Sequence, residues 1–249
     1  MINDETKRKL RELGLDDFVE VLNDQEKNDD YYTSLSFSDR LDLVVDDFYN
    51  RKNATRSKRL INSAKLRYPA ADVTTIYYEG RELDRNQLLE LSTCNYFKNN
   101  RNIIINGFTG SGKSFVACAL GKAACKHLYR TRYFRMPELM EMLNLTGQTG
   151  GSISRAVTRL SNYNLLIVDE WLLDIPSETE QKYLLEIFEK RYDLWPTILC
   201  TQYKISEWHP RLGSGVFADA IMDRIVHNAV IVSSGKYNMR EFLAKDNIC

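Results

Sequence analysis

The sequence predicts an α/β protein: a five-stranded parallel sheet flanked by helices, preceded by a small all-helical N-terminal domain. Three observations predict it. Short apolar runs such as Ile103-Ile104-Ile105 and Leu165-Leu166-Ile167-Val168 have the unbroken apolarity of parallel strands buried on both faces. Stretches with apolar residues at helical spacing alternate with those runs, as crossover helices do. Residues 1–68 carry apolar residues at mostly helical spacing.

In chain order, residues 7–23 place Leu10, Leu13, Phe18, Val21 and Leu22 at helical spacing, predicting one helix before an acidic link over 23–30. Ser38 reads as the N-cap of a helix carrying Leu41, Val44, Val45 and Phe48 on one face. Over 51–67, Ala54, Leu60, Ile61 and Ala64 share one arc of a helical wheel, and most of the charge takes the other. The stripe changes phase over 50–53, so a bend or a change of packing partner is expected there. Tyr68-Pro69 closes the helical region, because a proline ring drives the preceding residue out of the helical conformation. An extended connector is expected over 70–81 and a helix over 83–97.

The strand at 102–106 leads into Gly107-Phe108-Thr109-Gly110-Ser111-Gly112-Lys113-Ser114, which fits the phosphate-binding pattern G-x-x-x-x-G-K-[ST]. Gly107, Gly110 and Gly112 let the backbone curl so that its N–H groups point at phosphate oxygens, with Thr109, Ser111 and Phe115 in the same cradle. Lys113 sets a compact positive charge near the β- and γ-phosphates. Ser114 offers a hydroxyl to Mg²⁺, and the helix expected over 115–127 turns its positive dipole end to the anion.

A strand is expected over 131–135, and then a helix with Pro137 in its first turn. A glycine-rich break over 146–151 precedes a short helix displaying Arg155 and Arg159. The strand at 165–169 ends in Asp169-Glu170, the Walker B arrangement of an acidic pair at a strand's carboxyl end. Asp169 would hold the metal, and Glu170 would orient and deprotonate an attacking water. A helix follows over 179–192, then a strand over 197–201 with Thr201 and Gln202 at its end, where open α/β sheets bind ligands and a polar pair can sense a γ-phosphate. A helix over 217–227, a strand over 229–232, a turn at Gly235 and a short tail opened by Met239-Arg240 complete the order.

Net charge is zero, but it is unevenly spread. Residues 1–50 hold 6 Lys/Arg against 14 Asp/Glu, whereas 51–67 hold 7 Lys/Arg and no acid. Phosphate contact by Arg51, Lys52, Arg56, Lys58, Arg59, Lys65 and Arg67 competes with the plainer reading of a solvated basic face. The five cysteines, Cys94, Cys118, Cys125, Cys200 and Cys249, form no C-x-x-C pair and read as structural thiols in a reducing cytoplasm. No apolar run approaches the ~20 residues of a membrane span, so no membrane role is expected.

Four blocks in order, Gly-Phe-Thr-Gly-Ser-Gly-Lys-Ser, Leu-Leu-Ile-Val-Asp-Glu-Trp, Ala-Asp-Ala-Ile-Met-Asp-Arg-Ile-Val-His-Asn-Ala and Asn-Met-Arg, resemble the IstB-type transposition helper ATPases. These are bacterial AAA+ proteins related to the DnaC-type loaders of the replicative helicase. Leu35-Ser-Phe-Ser-Asp-Arg-Leu41 and the basic stretch resemble that family's N-terminal domain. The resemblance implies a helical DNA- or partner-binding domain over 1–68 and an AAA+ ATPase domain over 69–249, with its connector at 69–82 and no substantial C-terminal lid. It implies ATP and Mg²⁺ as cofactors, and duplex DNA, a transposase and further copies of the chain as partners in the bacterial cytoplasm. Arg224 matches the arginine finger that reaches a neighbouring subunit's γ-phosphate, and Arg240 the sensor arginine of the same subunit. The insertion carrying Arg155 and Arg159 faces nucleic acid in relatives, which makes both candidate backbone contacts against simple solvation. Leu172 departs from the pattern, standing where many relatives have glycine. A DnaC-type helicase loader is the alternative function. A small-molecule kinase, which a P-loop alone permits, is opposed by Glu170 and the Arg224 block, and a non-hydrolysing scaffold would dispense with Glu170.

Overall fold

A computed structural model describes residues 2–32 and 34–246. They fall into two units, Met1–Arg59 and Leu60–Cys249.

In the first unit Asn3 caps α1 (Asp4–Glu12), its side chain accepting from the Glu5 and Thr6 amides. The single helix expected over 7–23 is broken at Gly14. Its φ of +73 lets the Gly14 amide bond to Arg11 O and the Leu15 amide to Leu10 O, a Schellman closure. Next come α2 (Asp16–Lys27) and a single turn, α3 (Asp29–Tyr32). The acidic link expected from 23 is therefore helical through Lys27. Helix α4 (Phe37–Ala64) runs 28 residues without interruption and is capped by Ser36 rather than Ser38. Ser36 Oγ accepts from the Asp39 amide at 3.2 Å and donates to the Asp39 carboxylate at 2.7 Å. The phase change appears as a change of partner. Phe48 meets Phe18 edge-to-face at 5.4 Å, whereas Leu60, Ile61 and Ala64 pack on the core of the second unit, to which they belong.

In the second unit five parallel strands take the order β2-β3-β4-β1-β5. They are β1 (Asn102–Asn106), β2 (Thr131–Arg135), β3 (Leu165–Asp169), β4 (Thr197–Thr201) and β5 (Ala229–Ser233). Strand alternation sends Ile103, Ile105, Leu165, Ile167, Ile198 and Cys200 into one apolar layer. Ile104, Leu166, Val168 and Leu199 enter a second layer on the opposite face. That is why the runs are apolar at every position. The first layer is covered by α5 (Arg85–Ser92) and α6 (Lys113–Lys126), and also takes Ala64 and Leu66. The second is covered by α7 (Met136–Gln148), α8 (Ile153–Ser161), α9 (Glu178–Arg191), α10 (Trp208–Arg211) and α11 (Val216–Val226). The last helix is α12 (Met239–Asp246).

The helix expected over 83–97 is α5 followed by a 3₁₀ turn at Asn95–Asn99, because Cys94 takes a φ of +62. Cys94, Cys118, Cys125 and Cys200 are free and buried, while Cys249 lies outside the described residues. Among the described residues no helix is long and apolar enough to cross a membrane. The register pairs Asn106 with Thr201 and Val168 with Leu199. The carboxyl ends of β1, β3 and β4 thus reach the same edge of the sheet, where the cavity described next opens.

Candidate nucleotide-binding site

The Gly107–Ser114 loop leaves β1 and closes into the first turn of α6. Gly107 is there for close approach, since a Cβ on it would come 2.2 Å from Ser234 Oγ. Gly110 combines a φ of +83 with a Cβ position 2.4 Å from Asn238 Oδ1. The loop is braced from behind by the buried Ser111–Ser234 hydroxyl pair at 2.6 Å and by the Met239 amide donating to Gly110 O at 3.0 Å. The Lys113 ammonium donates to Gly107 O at 2.6 Å and Phe108 O at 2.8 Å. Burial pushes its pKa down, so an anion beside it relieves a desolvated charge.

Asp169 is 2 % exposed at the end of β3. Its Oδ2 accepts from the Tyr133 hydroxyl at 2.6 Å and its Oδ1 from the Glu170 amide at 2.9 Å. Burial and the Asp169 carboxylate push Tyr133 far above the usual phenol range, which leaves it a donor. Glu170 has a φ of +58, turning its side chain off the strand line. Its Oε2 accepts from Arg135 Nε at 3.0 Å and Nη2 at 2.7 Å, and its Oε1 lies 3.6 Å from Arg67 Nη1. Leu172 also takes a φ of +58, so the backbone keeps a conformation that glycine favours although a buried leucine occupies it. Arg211 fastens that loop by donating to Leu172 O and Leu173 O, each at 2.7 Å.

These groups line a cavity of about 650 Å³ within the second unit. From the phosphate loop, the strand ends and their neighbours the lining takes Thr109, Gly110, Gly112, Lys113, Ser114, Phe115, Asp169, Glu170, Thr201, Gln202 and Arg67. It also takes Ile76, Tyr77 and Arg81 from the connector and Met239, Arg240 and Phe242 from α12, with the Tyr77 and Phe242 rings stacked at 4.7 Å. Arg81 joins connector to loop, donating to Tyr77 O at 2.7 Å and to Ser111 O. The lining thus combines cations and oxygen donors with aromatic and aliphatic faces, the two kinds of surface that suit the phosphates and the base of a nucleoside triphosphate. The Thr201 hydroxyl is tied into the backbone, donating to Trp171 O and accepting from the Tyr203 amide, each at 3.1 Å. Its neighbour Gln202 makes the link to the loop, its Oε1 accepting from Thr109 Oγ1 at 2.8 Å.

Arg224 does not line the cavity. Its guanidinium donates to Glu189 and to Ala220 O, the latter at 3.0 Å. The basic stretch divides. Arg51 pairs with Asp24 at 3.1 Å and Asp47 at 2.9 Å, and the Lys52 ammonium sits 5.6 Å from the Phe48 ring centre. Arg56, Lys58, Arg59, Lys65 and Arg67 are all exposed, and Arg67, expected among the DNA contacts, also lines the cavity 3.6 Å from Glu170. Arg155 and Arg159 are exposed on α8, with Val157 and Leu160 buried beneath them. Sequence reasoning missed Arg67 as a cavity residue, and Tyr77, Arg81, Tyr133, Arg135 and Phe242 altogether. Each comes from outside the motifs, so only folding brings it in.

A model of the family described as IstB-like ATP binding protein matches residues 8–245. An insertion sequence ATP-binding protein of Sinorhizobium fredii is 33% identical over 96% of both chains. A second from that organism is 35% identical over 92% of this chain and 93% of its own length. Among solved structures, the DnaC helicase loader matches with a TM-score of 0.56 at 18% identity, covering 67% of this chain and 98% of that one. The replication initiator DnaA bound to AMPPCP and single-stranded DNA matches with a TM-score of 0.59 at 20% identity, over 72% of this chain. This chain spans only about half (55%) of that DnaA chain, and both structural likenesses are of fold alone.

Proposed function

The chain belongs to the IstB-like ATP binding protein family, an AAA+ ATPase fold, and from that premise we propose an ATP-driven DNA-assembly factor that assists a transposase. ATP binds in the cavity with its phosphates on residues 107–114 and its base among Ile76, Tyr77, Met239 and Phe242. Ser114 and Asp169 are hard oxygen donors in one cavity, a set that fits Mg²⁺ with water completing its shell. The metal, when bound, neutralises phosphate charge. Arg135 fixes Glu170 through Oε2, leaving Oε1 to orient a water and take its proton. The water oxygen bonds to the γ-phosphorus as the bond to the β–γ bridging oxygen breaks. Its electron pair leaves with ADP, and inorganic phosphate is the other product. Arg240 contacts nucleotide in the same subunit, and Arg224 completes the site of a neighbour.

The observation that carries this reading is the division of labour among the cations. Lys113 and Arg240 line the cavity beside Glu170, and Arg224 stands outside it. On this reading a neighbour's Arg224 completes the site, so that assembly would depend on ATP and disassembly on hydrolysis. DNA contact falls to the helical N-terminal region, through Arg56, Lys58, Arg59 and Lys65, and to Arg155 and Arg159. Residues 51–67 and 151–162 contain no aromatic side chain on which bases could stack, and they offer Arg, Lys, Ser and Asn for the phosphates of an intact duplex. With ATP, the protein is expected to prefer duplex over single-stranded DNA of equal length at one salt concentration, and to release it with ADP. A preference for single strands, or ATP-dependent capture of a replicative helicase, would favour the loader reading instead.

A further inference from the structure

The basic stretch ends on a residue that its neighbours hold in a fixed place. Helix α4 stops at the buried Ala64, and Lys65 reverses the chain with a φ of +55. Leu66 then fills the space left by Gly121 on α6, where a Cβ would lie 3.1 Å from Leu66 Cδ2. The Tyr68 ring packs 5.9 Å from Phe115, on the first turn of α6. The residues on either side of Arg67 thus pack on the helix that the phosphate loop opens. Its side chain reaches the carboxyl ends of β2 and β3, beside Tyr133, Asp169 and Glu170.

We propose that Arg67 is a further cis contact to the terminal phosphate of ATP, supplied by the segment that joins α4 to the core. This rests on the assignment of the cavity as the ATP site. At 3.6 Å the approach of Nη1 to Glu170 Oε1 is a long ion pair and not a hydrogen bond, so the guanidinium is not committed to Glu170. Arg135 already holds the other oxygen of that carboxylate through two donors. An attacking water has to sit between Glu170 and the γ-phosphorus, so a cation beside Oε1 lies within reach of a γ-phosphate oxygen. That phosphate offers three oxygens in the geometry a guanidinium fork matches. Moving Arg67 onto it exposes Oε1 to the water, so the presence of the third phosphate and the readiness of the base are set together. ADP lacks the group that draws Arg67 away.

The test compares Arg67→Gln and Arg67→Lys with the unaltered full-length protein in the absence of DNA, measuring affinities for ATP and ADP by displacement of a fluorescent nucleotide. Arg67→Gln is expected to lose ~10–100-fold in ATP affinity, the scale of a charge-assisted contact, while ADP affinity holds. Arg67→Lys keeps the charge without the fork and should recover part of the ATP preference. A merely structural role would weaken both nucleotides together. An unchanged ATP-to-ADP ratio in both variants overturns the proposal. If the unaltered protein binds neither nucleotide, the ATP-site reading fails and this proposal with it.

Discussion

Glu170 combines two features that fit it for proton transfer, a left-handed backbone that swings its carboxylate off the strand and an arginine that holds one oxygen. Replacing it with Gln keeps the shape and loses the base. Turnover of Glu170→Gln is expected to fall ~10²–10⁴-fold with ATP binding intact, and an unchanged steady-state rate would remove Glu170 from the mechanism. The acidic pair was legible because the strand and its terminal Asp-Glu are contiguous. Tyr133 and Arg135 were not, since they lie on β2 and meet the pair only through the β2–β3 register, in which Arg135 faces Asp169. Leu172 shows how a leucine can hold a backbone conformation that glycine favours. The left-handed conformation costs a leucine about 1–2 kcal/mol, and burying its side chain contributes about 1.5–3 kcal/mol. Burial is large enough to offset the strain.

Among the elements, α4 and the connector after it carry the consequences least visible in the sequence. The charge run at 51–67 reads as one feature, yet folding sorts it into an acid-paired Arg51, a cavity-lining Arg67 and a further exposed set. The acidic partners of Arg51, Asp24 and Asp47, lie 27 and 4 residues away, so a local window holding no acid conceals them. The break at Gly14 and the cap at Ser36 were within reach of the sequence. A glycine follows a periodic run at the first, and Ser-x-x-Asp precedes one at the second. Replacing Arg56, Lys58, Arg59 and Lys65 with Gln should weaken duplex binding about equally for unrelated sequences. It should also flatten the log–log salt dependence by ~0.9 for each phosphate left without its cation, whereas wild-type affinity and slope would mark the face as merely solvated. The connector is pinned to α6 by Lys126, 2.8 Å from Asp72, and by Lys122 donating to Ala70 O at 3.3 Å. The hydrogen bond from Lys126 is the main cause holding the Asp72 carboxyl down at about 2 against an ordinary 3.8. Its folded pKa being the lower, its contribution is present above 3.8 and lost as pH falls through about 2. Asp72→Asn should cost ~1–2 kcal/mol near neutral pH, after allowing for partial exposure, and lose that difference from wild type in acid. Equal urea midpoints at neutral pH would show that Asp72 pins nothing.

For the whole molecule, the sheet was legible because parallel strands buried on both faces need apolar residues at every position, and β2, β3 and β4 fall on their expected bounds, 131–135, 165–169 and 197–201. The cavity was legible only at its phosphate end, where the motifs are contiguous. Another part of the lining is assembled from the connector and α12, more than 150 residues apart in the chain, and no local pattern announces it. On the proposed reading, Arg224 is the cation for a neighbour's γ-phosphate. Within its own subunit Arg224 rests against Glu189, a partner it would exchange for that phosphate on assembly. The most direct measurement is ATPase activity on mixing two inactive variants, Arg224→Ala and Glu170→Gln, under conditions where subunits exchange. Each alone should bind ATP and hydrolyse it poorly. Mixed, they should recover part of the activity, because some interfaces then join an intact Glu170 to an intact Arg224. No recovery at any ratio, with exchange verified, would contradict a site shared between subunits.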